Sequence, residues 1–324
     1  PLLLAVLYVV DRNQTRHALR RNYPLLARFR YLFEHLGEFF RQYFFAMDRE
    51  EMPFNRAERS WVYRAAKKVD STIAFGSTRD LKPAGTILFA NCAFPKLQEE
   101  GLDTSAVTIG PFSREPYQAT SVFHISAMSY GAISAPAVLA LSQGAKSAGI
   151  WMNTGEGGLS AEHLEGGADL IFQIGTAKYG VRDASGGLCP DRLSQIAAHE
   201  QVKMFEIKLS QGAKPGKGGV LPGSKVNAEI ARVRGIPLGE DSLSPNRHPE
   251  VSSSEDLLDL LETVRSVSGK PVGIKAVIGD HRWLQALCST INARGIASAP
   301  DFITVDGAEG GTGAAPASLI DYMG

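Results

Sequence analysis

The sequence has few cysteines and no excess of charge of either sign. Its three cysteines lie far apart and match no metal-binding or redox spacing: Cys92, Cys189 and Cys288. Because there is also no signal-peptide pattern, this small odd number favours a reduced, cytoplasmic compartment. Lysine plus arginine equals aspartate plus glutamate, at 34 each, so no general charge attraction to nucleic acid exists. We predict no nucleic-acid partner, and the scattered histidines predict no metal site.

Long apolar runs are also lacking, except at the first residues. Pro1–Val10 is apolar apart from one tyrosine hydroxyl, but spanning a bilayer needs about 20 such residues. Four arginines follow closely: Arg12, Arg16, Arg20 and Arg21. An apolar run followed by arginines is typical of a transmembrane helix that emerges on the cytoplasmic side. Residues 1–20 are therefore predicted to be the end of a membrane anchor, with the rest of the protein in the cytoplasm. An ordinary buried helix is the alternative.

Residues 21–120 are predicted to form a helical and irregular region. Between residues 15 and 65, large apolar side chains recur at three- and four-residue spacing, which indicates amphipathic helices. A shorter helix is expected near Ala57–Lys67, after a break at Pro53. Turn-forming residues dominate from there to about Pro116, and Thr86–Phe89 is predicted to be a strand.

From Ser121 onwards, short apolar runs alternate with helical patterns. The apolar runs are Phe123–Ala127, Ile150–Asn153, Leu170–Ile174, Met204–Leu209, Val272–Val277 and Phe302–Val305. The helical patterns are Pro136–Ala148, Asp191–Glu200, Ser254–Val267 and Trp283–Ala293. Apolar strands that alternate with helices predict a parallel sheet covered on both faces, hence a doubly wound fold or a barrel.

A polar or glycine-rich loop follows almost every predicted strand, which favours the barrel. The loops are Met128–Gly131, Thr154–Gly158, Gly175–Tyr179, Ser210–Gly219, Gly279–His281 and Asp306–Gly313. In a (β/α)8 barrel several such loops build the active site, whereas a doubly wound sheet concentrates its ligand loops at one switch point. The predicted fold class is therefore α/β. Residues 121–324 are expected to form a (β/α)8 TIM-type barrel, incomplete at its C-terminal end and preceded by the helical N-terminal region.

Two loops and two lysines are the candidate ligand-binding features. Asn153–Gly158 combines three glycines with amide, hydroxyl and carboxylate groups. Its backbone could lie against a flat ring or a phosphate, and a plain tight turn is the alternative. Asp306–Gly313 contains similar glycine-rich fragments. Lys208 and Lys275 lie within apolar strands, where a lysine is unfavourable unless an anion meets it. A solvated lysine at a sheet edge is the alternative for either position.

Several sequence blocks resemble the FMN domain of glutamate synthase. The blocks are Ser126–Gly131 (SAMSYG), Asn153–Gly158 (NTGEGG), Ile207–Gly216 (IKLSQGAKPG), Leu221–Gly223 (LPG) and Gly310–Ala314 (GGTGA), in the family's order and spacing. They cover about residues 121–324. The first 120 residues resemble, more loosely, the N-terminal part of the short, stand-alone members of this family, which begin with a membrane segment. The chain is thus identified as a member of the glutamate synthase family, and we expect it to be truncated at both ends.

The resemblance implies an FMN-dependent oxidoreductase that makes L-glutamate. In this family, ammonia and 2-oxoglutarate form 2-iminoglutarate, and reduced FMN passes a hydride to its C2. A separate electron donor is also implied, either a ferredoxin or an NAD(P)H-linked reductase. Two alternatives remain open. One is an FMN barrel that acts on another 2-oxo or 2-hydroxy acid, and the other is a non-catalytic, membrane-tethered flavin-binding module.

The resemblance also assigns roles to residues at the family's motif positions. The implied FMN-binding residues are Ala127, Met128, Ser129, Asn153, Thr154, Gln173, Lys275, Gly310, Gly311 and Thr312. Among these, Gln173 would bond the ring edge, and Lys275 would lie beside N1 and O2, where its charge stabilises reduced flavin. The implied substrate-binding residues are Lys208, Gln211, Arg234 and Ser244, which would hold carboxylates. Glu156 would lie where ammonia arrives, and the implied catalytic residues are Lys208, Glu156 and Lys275.

Three parts of the large family members are expected to be missing from this chain. It has no region of amidotransferase size with an N-terminal catalytic cysteine, so external ammonia is expected. The family's iron–sulfur cysteines would follow Gly324, and so would the last two barrel strands, which usually supply the phosphate site. We therefore expect FMN, together with an iron–sulfur cluster in the intact protein that this chain does not ligate. Gly212–Gly223 is rich in glycine, lysine and proline and is predicted to be a lid, and a surface loop without a role is the alternative.

Overall fold

The computed structural model describes residues 2–70, 72, 74–101, 105–213, 216, 218–307 and 315–322 of the chain. These residues form two compact units, one ending at Pro95 and the other beginning at Lys96. The predicted boundary between the N-terminal region and the barrel, at residue 120, lies later in the chain. A physical reason is visible in the second unit, where hydrogen bonds tie residues 107–119 to Asp169 of the sheet and to the end of the helix Ser254–Ser268. There, the backbone N–H of Glu115 donates to the carbonyl of Gly269 at 3.0 Å.

The first unit is helical. Its helices are α1 (Leu2–Asn13), α2 (Ala18–Asn22), α3 (Leu26–Phe40) and α4 (Arg56–Ala66), with a π-helical turn at Arg41–Phe45. Asp11 is buried and accepts a hydrogen bond from Arg28 at 2.7 Å, which ties α1 to α3. Asn55 and Glu58 form a capping box at the start of α4. Among the residues described, none of the helices combines the length and the apolar character that crossing a membrane requires.

The strand predicted at Thr86–Phe89 is irregular chain in the structure. Two of its three apolar side chains, Ile87 and Phe89, are almost completely exposed to solvent. A short apolar run becomes a strand only where another strand pairs with it and a core covers it, and neither condition is met in the described part of this unit. The local pattern was therefore misleading at this position.

The second unit is built on a parallel sheet. Its strands run in chain order across the sheet: β3 (Trp151–Asn153), β4 (Asp169–Ile174), β5 (Val202–Lys208), β8 (Val272–Ala276) and β9 (Ile303–Val305). Two antiparallel pairs flank it: β1 (Val107–Ile109) with β2 (Tyr117–Ala119), and β6 (Val220–Leu221) with β7 (Ser242–Leu243). The parallel sheet curls into about half of a barrel. This confirms the predicted fold class, an incomplete TIM-type barrel preceded by helices.

The first predicted barrel strand, Phe123–Ala127, is reduced to a single bridge. Ile125 pairs in parallel with Met152 of β3, where the Ile125 N–H donates to the carbonyl of Trp151 at 3.0 Å. The segment therefore occupies the position of an edge strand beside β3. Phe123, at its start, is 79% exposed, so only the middle of the predicted run is held by the sheet.

The described part of this unit also contains the helices α5 (Ala135–Ala148), α6 (Ala161–Gly166), α7 (Pro190–Ala197), α8 (Ala228–Arg234), α9 (Ser254–Ser268), α10 (Arg282–Arg294) and α11 (Ala317–Tyr322). Of these, α5, α7 and α9 contact strands of the sheet and cover its outer face. Strand side chains alternate between the two faces of the sheet. The outward set is apolar and joins helix residues in one buried cluster, which includes Phe172, Phe205, Ile207, Ile274, Leu193, Leu258 and Leu261. The inward set contains Gln173, Glu206, Lys208, Lys275 and Thr304, and this polar face carries the candidate site.

Candidate functional site

A buried carboxylate lies at the centre of the inner face of the half-barrel. Glu206 of β5 is 1% exposed. Its Oε1 accepts hydrogen bonds from Asn153 Nδ2 at 2.9 Å and from Gln173 Nε2 at 2.6 Å. Its Oε2 accepts from the Thr304 hydroxyl at 2.5 Å. These donors come from β3, β4 and β9, so one carboxylate links side chains from four strands of the sheet.

Lys275 lies on the inner face of β8, next to the level of Glu206 in the direction of the carboxyl ends of the strands. It pairs in register with Lys208 of β5 and Thr304 of β9. Lys275 is only 9% exposed, and its Nζ forms an ion pair with Asp306 Oδ2 at 3.1 Å. Asp306 follows directly after β9. The anion that the sequence pattern required for this lysine is thus supplied by the chain itself, at the carboxyl ends of two neighbouring strands.

Lys208 is likewise held by a carboxylate. Its Nζ lies 3.2 Å from Glu156 Oε1 and donates to Gln211 Oε1 at 3.1 Å. Gly175, at the end of β4, makes room for this arrangement, because a Cβ there would lie 2.6 Å from Glu156 Oε2. Neither lysine is therefore a solvated residue at a sheet edge.

Two cavities open on these groups. The larger, of about 320 Å³, lies on the inner face, and its polar lining includes Ser126, Asn153, Glu206, Lys275 and Thr304. Apolar residues, among them Ala127, Trp151, Ile171, Met204 and Phe302, cover the rest. The smaller, of about 40 Å³, is lined by Glu156, Thr176, Lys208, Ser210, Gln211 and Asn246, together with neighbouring glycines. An apolar cleft with a few converging polar groups is the usual form of a small-molecule site.

The backbone of the Asn153–Gly158 loop packs closely against the backbone of another loop of the protein. Gly155 has φ +68°, and a Cβ on it would lie 2.5 Å from the backbone N of Ser129. A Cβ on Gly157 would lie 2.8 Å from the carbonyl oxygen of Tyr130. The glycines therefore let this loop support the neighbouring segment Met128–Tyr130. Asn153 anchors the turn, because its Oδ1 accepts from the Gly155 N–H at 2.9 Å.

The remaining predicted FMN-binding residues have different surroundings. Ala127 lines the larger cavity, and Met128 and Ser129 belong to the segment that the backbone of Gly155 contacts. Thr154 is fully buried, and its hydroxyl accepts from the backbone N–H of Gln173 at 3.2 Å. The predicted residues Gly310, Gly311 and Thr312 lie outside the described residues.

The predicted substrate residues are only partly brought together. Lys208 and Gln211 line the smaller cavity, whereas Arg234 and Ser244 line neither cavity. The Arg234 guanidinium donates to Ser242 Oγ at 2.9 Å and to the carbonyl of Tyr130 at 3.1 Å, and it lies over the ring of Tyr179. Burial lowers the pKa of Arg234 from its usual value. The backbone N–H of Ser244 donates to the carbonyl of Gly219 at 2.9 Å. This hydrogen bond attaches the predicted lid segment to residues 242–244.

Comparisons with known proteins show which family the chain resembles. The family described as "Conserved region in glutamate synthase" matches residues 96–324. The glutamate synthase large subunit-like protein YerD of Bacillus subtilis is 39% identical over 362 aligned residues, which cover the whole chain and 68% of that protein. An archaeal-type glutamate synthase (NADPH) of Thermotoga maritima is 40% identical over 201 residues, covering 61% of the chain and 36% of that protein.

The chain belongs to the glutamate synthase family. Its match to the family begins at residue 96, where the second compact unit also begins. The resemblance found in the sequence blocks is therefore confirmed. The chain spans about two thirds of the Bacillus protein and about a third of the Thermotoga protein. The family assignment thus applies to the barrel unit, and the roles of individual residues stay predictions.

Two site residues of this glutamate synthase family chain were missed by the sequence reasoning. Glu206 is two residues before Lys208 in β5, so strand alternation alone places both on one face. That signal was available, since a glutamate between Phe205 and Ile207 is unusual in a buried strand. Asp306 was noted only as the start of a glycine-rich loop. Nothing local in the sequence identifies it as the partner of Lys275.

Proposed function

We propose that this chain carries the FMN and 2-oxoglutarate site of a glutamate synthase-type oxidoreductase, which reductively aminates 2-oxoglutarate to L-glutamate. The observation that carries the proposal is the pair of largely buried lysines in register on β5 and β8. Each is held by a carboxylate at the carboxyl end of the half-barrel, where barrel enzymes place their chemistry. Membership of the glutamate synthase family supports the same reaction.

The residues around the larger cavity fit the ring system of FMN. The cavity combines apolar walls, which suit a flat aromatic ring, with a cation, amides and a hydroxyl at one side. Lys275 would face the electron-rich side of the ring and stabilise negative charge there. Ala127 and the Met128–Ser129 segment would support the ring. The phosphate end would fall to the glycine-rich segment that contains Gly310, Gly311 and Thr312, which lies outside the described part of the chain.

The smaller cavity fits the polar end of the substrate. FMN, when reduced and bound, supplies the hydride that 2-iminoglutarate accepts at C2. Lys208 and Gln211 offer a cation and an amide to a substrate carboxylate. Glu156 lies against Lys208, where it could hold a proton destined for the substrate nitrogen. In this reaction the C2 carbon of 2-iminoglutarate accepts the hydride, and its nitrogen accepts the proton, which gives the amine of L-glutamate.

The electron donor and the membrane association are further parts of this proposal. Relatives of the chain are named glutamate synthase (NADPH), which supports an NADPH-linked reductase as the donor, and a ferredoxin is the alternative. The N-terminal helix α1 exposes most of its apolar side chains, including Leu2, Leu3 and Val9, and arginines follow it. These features support membrane association through the N-terminus. Pelleting with vesicles that contain anionic lipid, lost when residues 2–13 are deleted, is the expected result.

An assay of the protein with FMN, reduced viologen dye, ammonia and 2-oxoglutarate tests the activity. We expect L-glutamate to form, and Lys275→Ala to weaken FMN binding. Lys208→Ala should raise KM for 2-oxoglutarate at least about tenfold through loss of a charge-assisted contact. Flavin binding without glutamate would contradict the reaction and indicate another 2-oxo acid, or a flavin-binding module without turnover. Absence of flavin binding would contradict the cofactor.

A further inference from the structure

Glu206 and its three hydrogen-bond donors, Asn153, Gln173 and Thr304, form a network that contains two side-chain amides. The two amides differ in how their oxygen ends are bonded. Asn153 uses both ends, because its Nδ2 donates to Glu206 and its Oδ1 accepts from Gly155. Gln173 donates its Nε2 to the same Glu206 oxygen at 2.6 Å. Within the described residues, no group donates to Gln173 Oε1. The nitrogen of the Gln173 amide is therefore held by Glu206, whereas its oxygen is not held by any of the described residues.

The orientation of Gln173 follows from the chemistry of its partner. An ionised carboxylate only accepts hydrogen bonds, so it selects the N–H₂ end of an amide and rejects the oxygen end. A reversed Gln173 would set two oxygens against each other at hydrogen-bonding distance inside the barrel. Because Glu206 is 1% exposed, solvent offers little to relieve such a contact. One buried glutamate thus decides which end of Gln173 faces away from β5.

We propose that Glu206 is a positioning residue of the cofactor site: it holds Gln173 so that the amide oxygen, not the N–H₂, meets the ligand. This inference rests on the proposed function. The ligand group that it selects is an N–H donor, and the imide N–H on the pyrimidine edge of FMN has this chemistry. Glu206 acts by accepting hydrogen bonds, so a neutral acceptor of the same shape replaces it.

Two substitutions separate orientation from charge. Glu206→Met keeps the length of the side chain but removes the acceptor, so Gln173 is free to turn. Glu206→Gln keeps one oxygen for Asn153 and Gln173 and can turn its N–H₂ toward the Thr304 hydroxyl, which also accepts. Glu200→Gln, on the exposed turn before β5, removes the same charge far from the network and serves as the matched control.

The first measurement is FMN binding by fluorescence quenching, with FMN and its N3-methyl derivative. We expect the wild-type chain to bind FMN at least about tenfold more tightly than N3-methyl-FMN, which is the effect of about one hydrogen bond. Glu206→Met should weaken FMN binding to a similar extent and lose this preference. Glu206→Gln and Glu200→Gln should behave as wild type. A Glu206→Met variant that binds and discriminates normally overturns the proposal, and so does a Glu206→Gln variant as weak as Glu206→Met.

The second measurement needs no cofactor. In ¹H–¹⁵N spectra, the side-chain amide protons of Gln173, assigned by their loss in Gln173→Leu, should exchange slowly with solvent. Slow exchange is expected to persist in Glu206→Gln and to disappear in Glu206→Met, and rapid exchange in the wild-type chain overturns the orientation. A wild-type chain that binds no FMN contradicts the proposed function and the cofactor role of Glu206. The amide exchange then still decides whether Glu206 orients Gln173.

Discussion

At the scale of single residues, His163 of α6 gives the clearest dependence on pH. Its side chain is fully buried, and its Nδ1 accepts from the backbone N–H of Ser160 at 3.2 Å. Burial lowers the pKa of His163 to about 4. In the unfolded chain the pKa is about 6.5. At pH values between these two pKa values, His163 is protonated in the unfolded state but not in the folded state. The free energy of unfolding therefore falls as the pH falls.

The size of this effect can be measured with a substitution that does not titrate. Between about pH 7.5 and pH 5, the wild-type chain should lose about 2 kcal/mol more stability than His163→Asn, whose Oδ1 can still accept from Ser160. Urea unfolding at both pH values measures the difference. His281→Asn, at an exposed position, is the control and should retain the wild-type dependence. An equal pH dependence in wild type and His163→Asn would contradict the assignment.

The two lysines show how far residue-level reasoning from the sequence reaches. The need for an anion beside Lys208 and Lys275 could be predicted, because a lysine in an apolar strand is otherwise unfavourable. The identity of each anion could not. Glu156 and Asp306 lie on loops after other strands, and only the curvature of the sheet and the loop geometry bring them to the lysines.

At the scale of elements, the Asn153–Gly158 loop could be recognised from its glycines, but its role could not. The sequence shows that backbone must come close to something. In the structure this is the backbone of Met128–Tyr130, and the loop therefore supports a neighbouring loop of the site. Strand existence was predicted well for β3, β4, β5, β8 and β9, where alternation or apolar runs are clear. It failed at Thr86–Phe89, because a local pattern does not show whether a partner strand exists.

Gly155→Ala tests this supporting role. A Cβ at this position would lie 2.5 Å from the backbone N of Ser129, in a residue with φ +68°. We expect a loss of at least about 2 kcal/mol in unfolding free energy, from backbone strain together with the clash. Gly149→Ala is the matched control, because Gly149 has φ +65° and no atom within 4 Å of its Cβ position. That variant should lose only about 1 kcal/mol. Equal losses in the two variants, measured by urea unfolding, would show that the loop contact is not tight.

At the scale of the whole molecule, the pattern of strands and helices predicted the half-barrel, because five strands in chain order leave few other topologies. The extent of the second unit was harder to predict. Residues 107–119 contain only two strands of three residues each, so periodicity says little about them. Their attachment depends on distant contacts, such as the hydrogen bond from the Tyr117 hydroxyl to Asp169 Oδ2 at 2.9 Å.

The barrel unit should also respond as a whole to its cofactor. A ligand at about one hundred times its Kd stabilises the folded state by about 2.7 kcal/mol, which raises Tm by roughly 5 °C or more for a unit of this size. We therefore expect Tm to rise with the logarithm of FMN concentration, measured by differential scanning calorimetry. Lys275→Met should reduce the shift at equal FMN concentration, because the ring loses its cation, whereas the control Glu200→Gln should keep it. Riboflavin, which shares the ring but lacks the phosphate, reports the ring site alone. A shift with FMN that is unchanged in Lys275→Met would mean that FMN binds elsewhere than in the cavity beside Lys275.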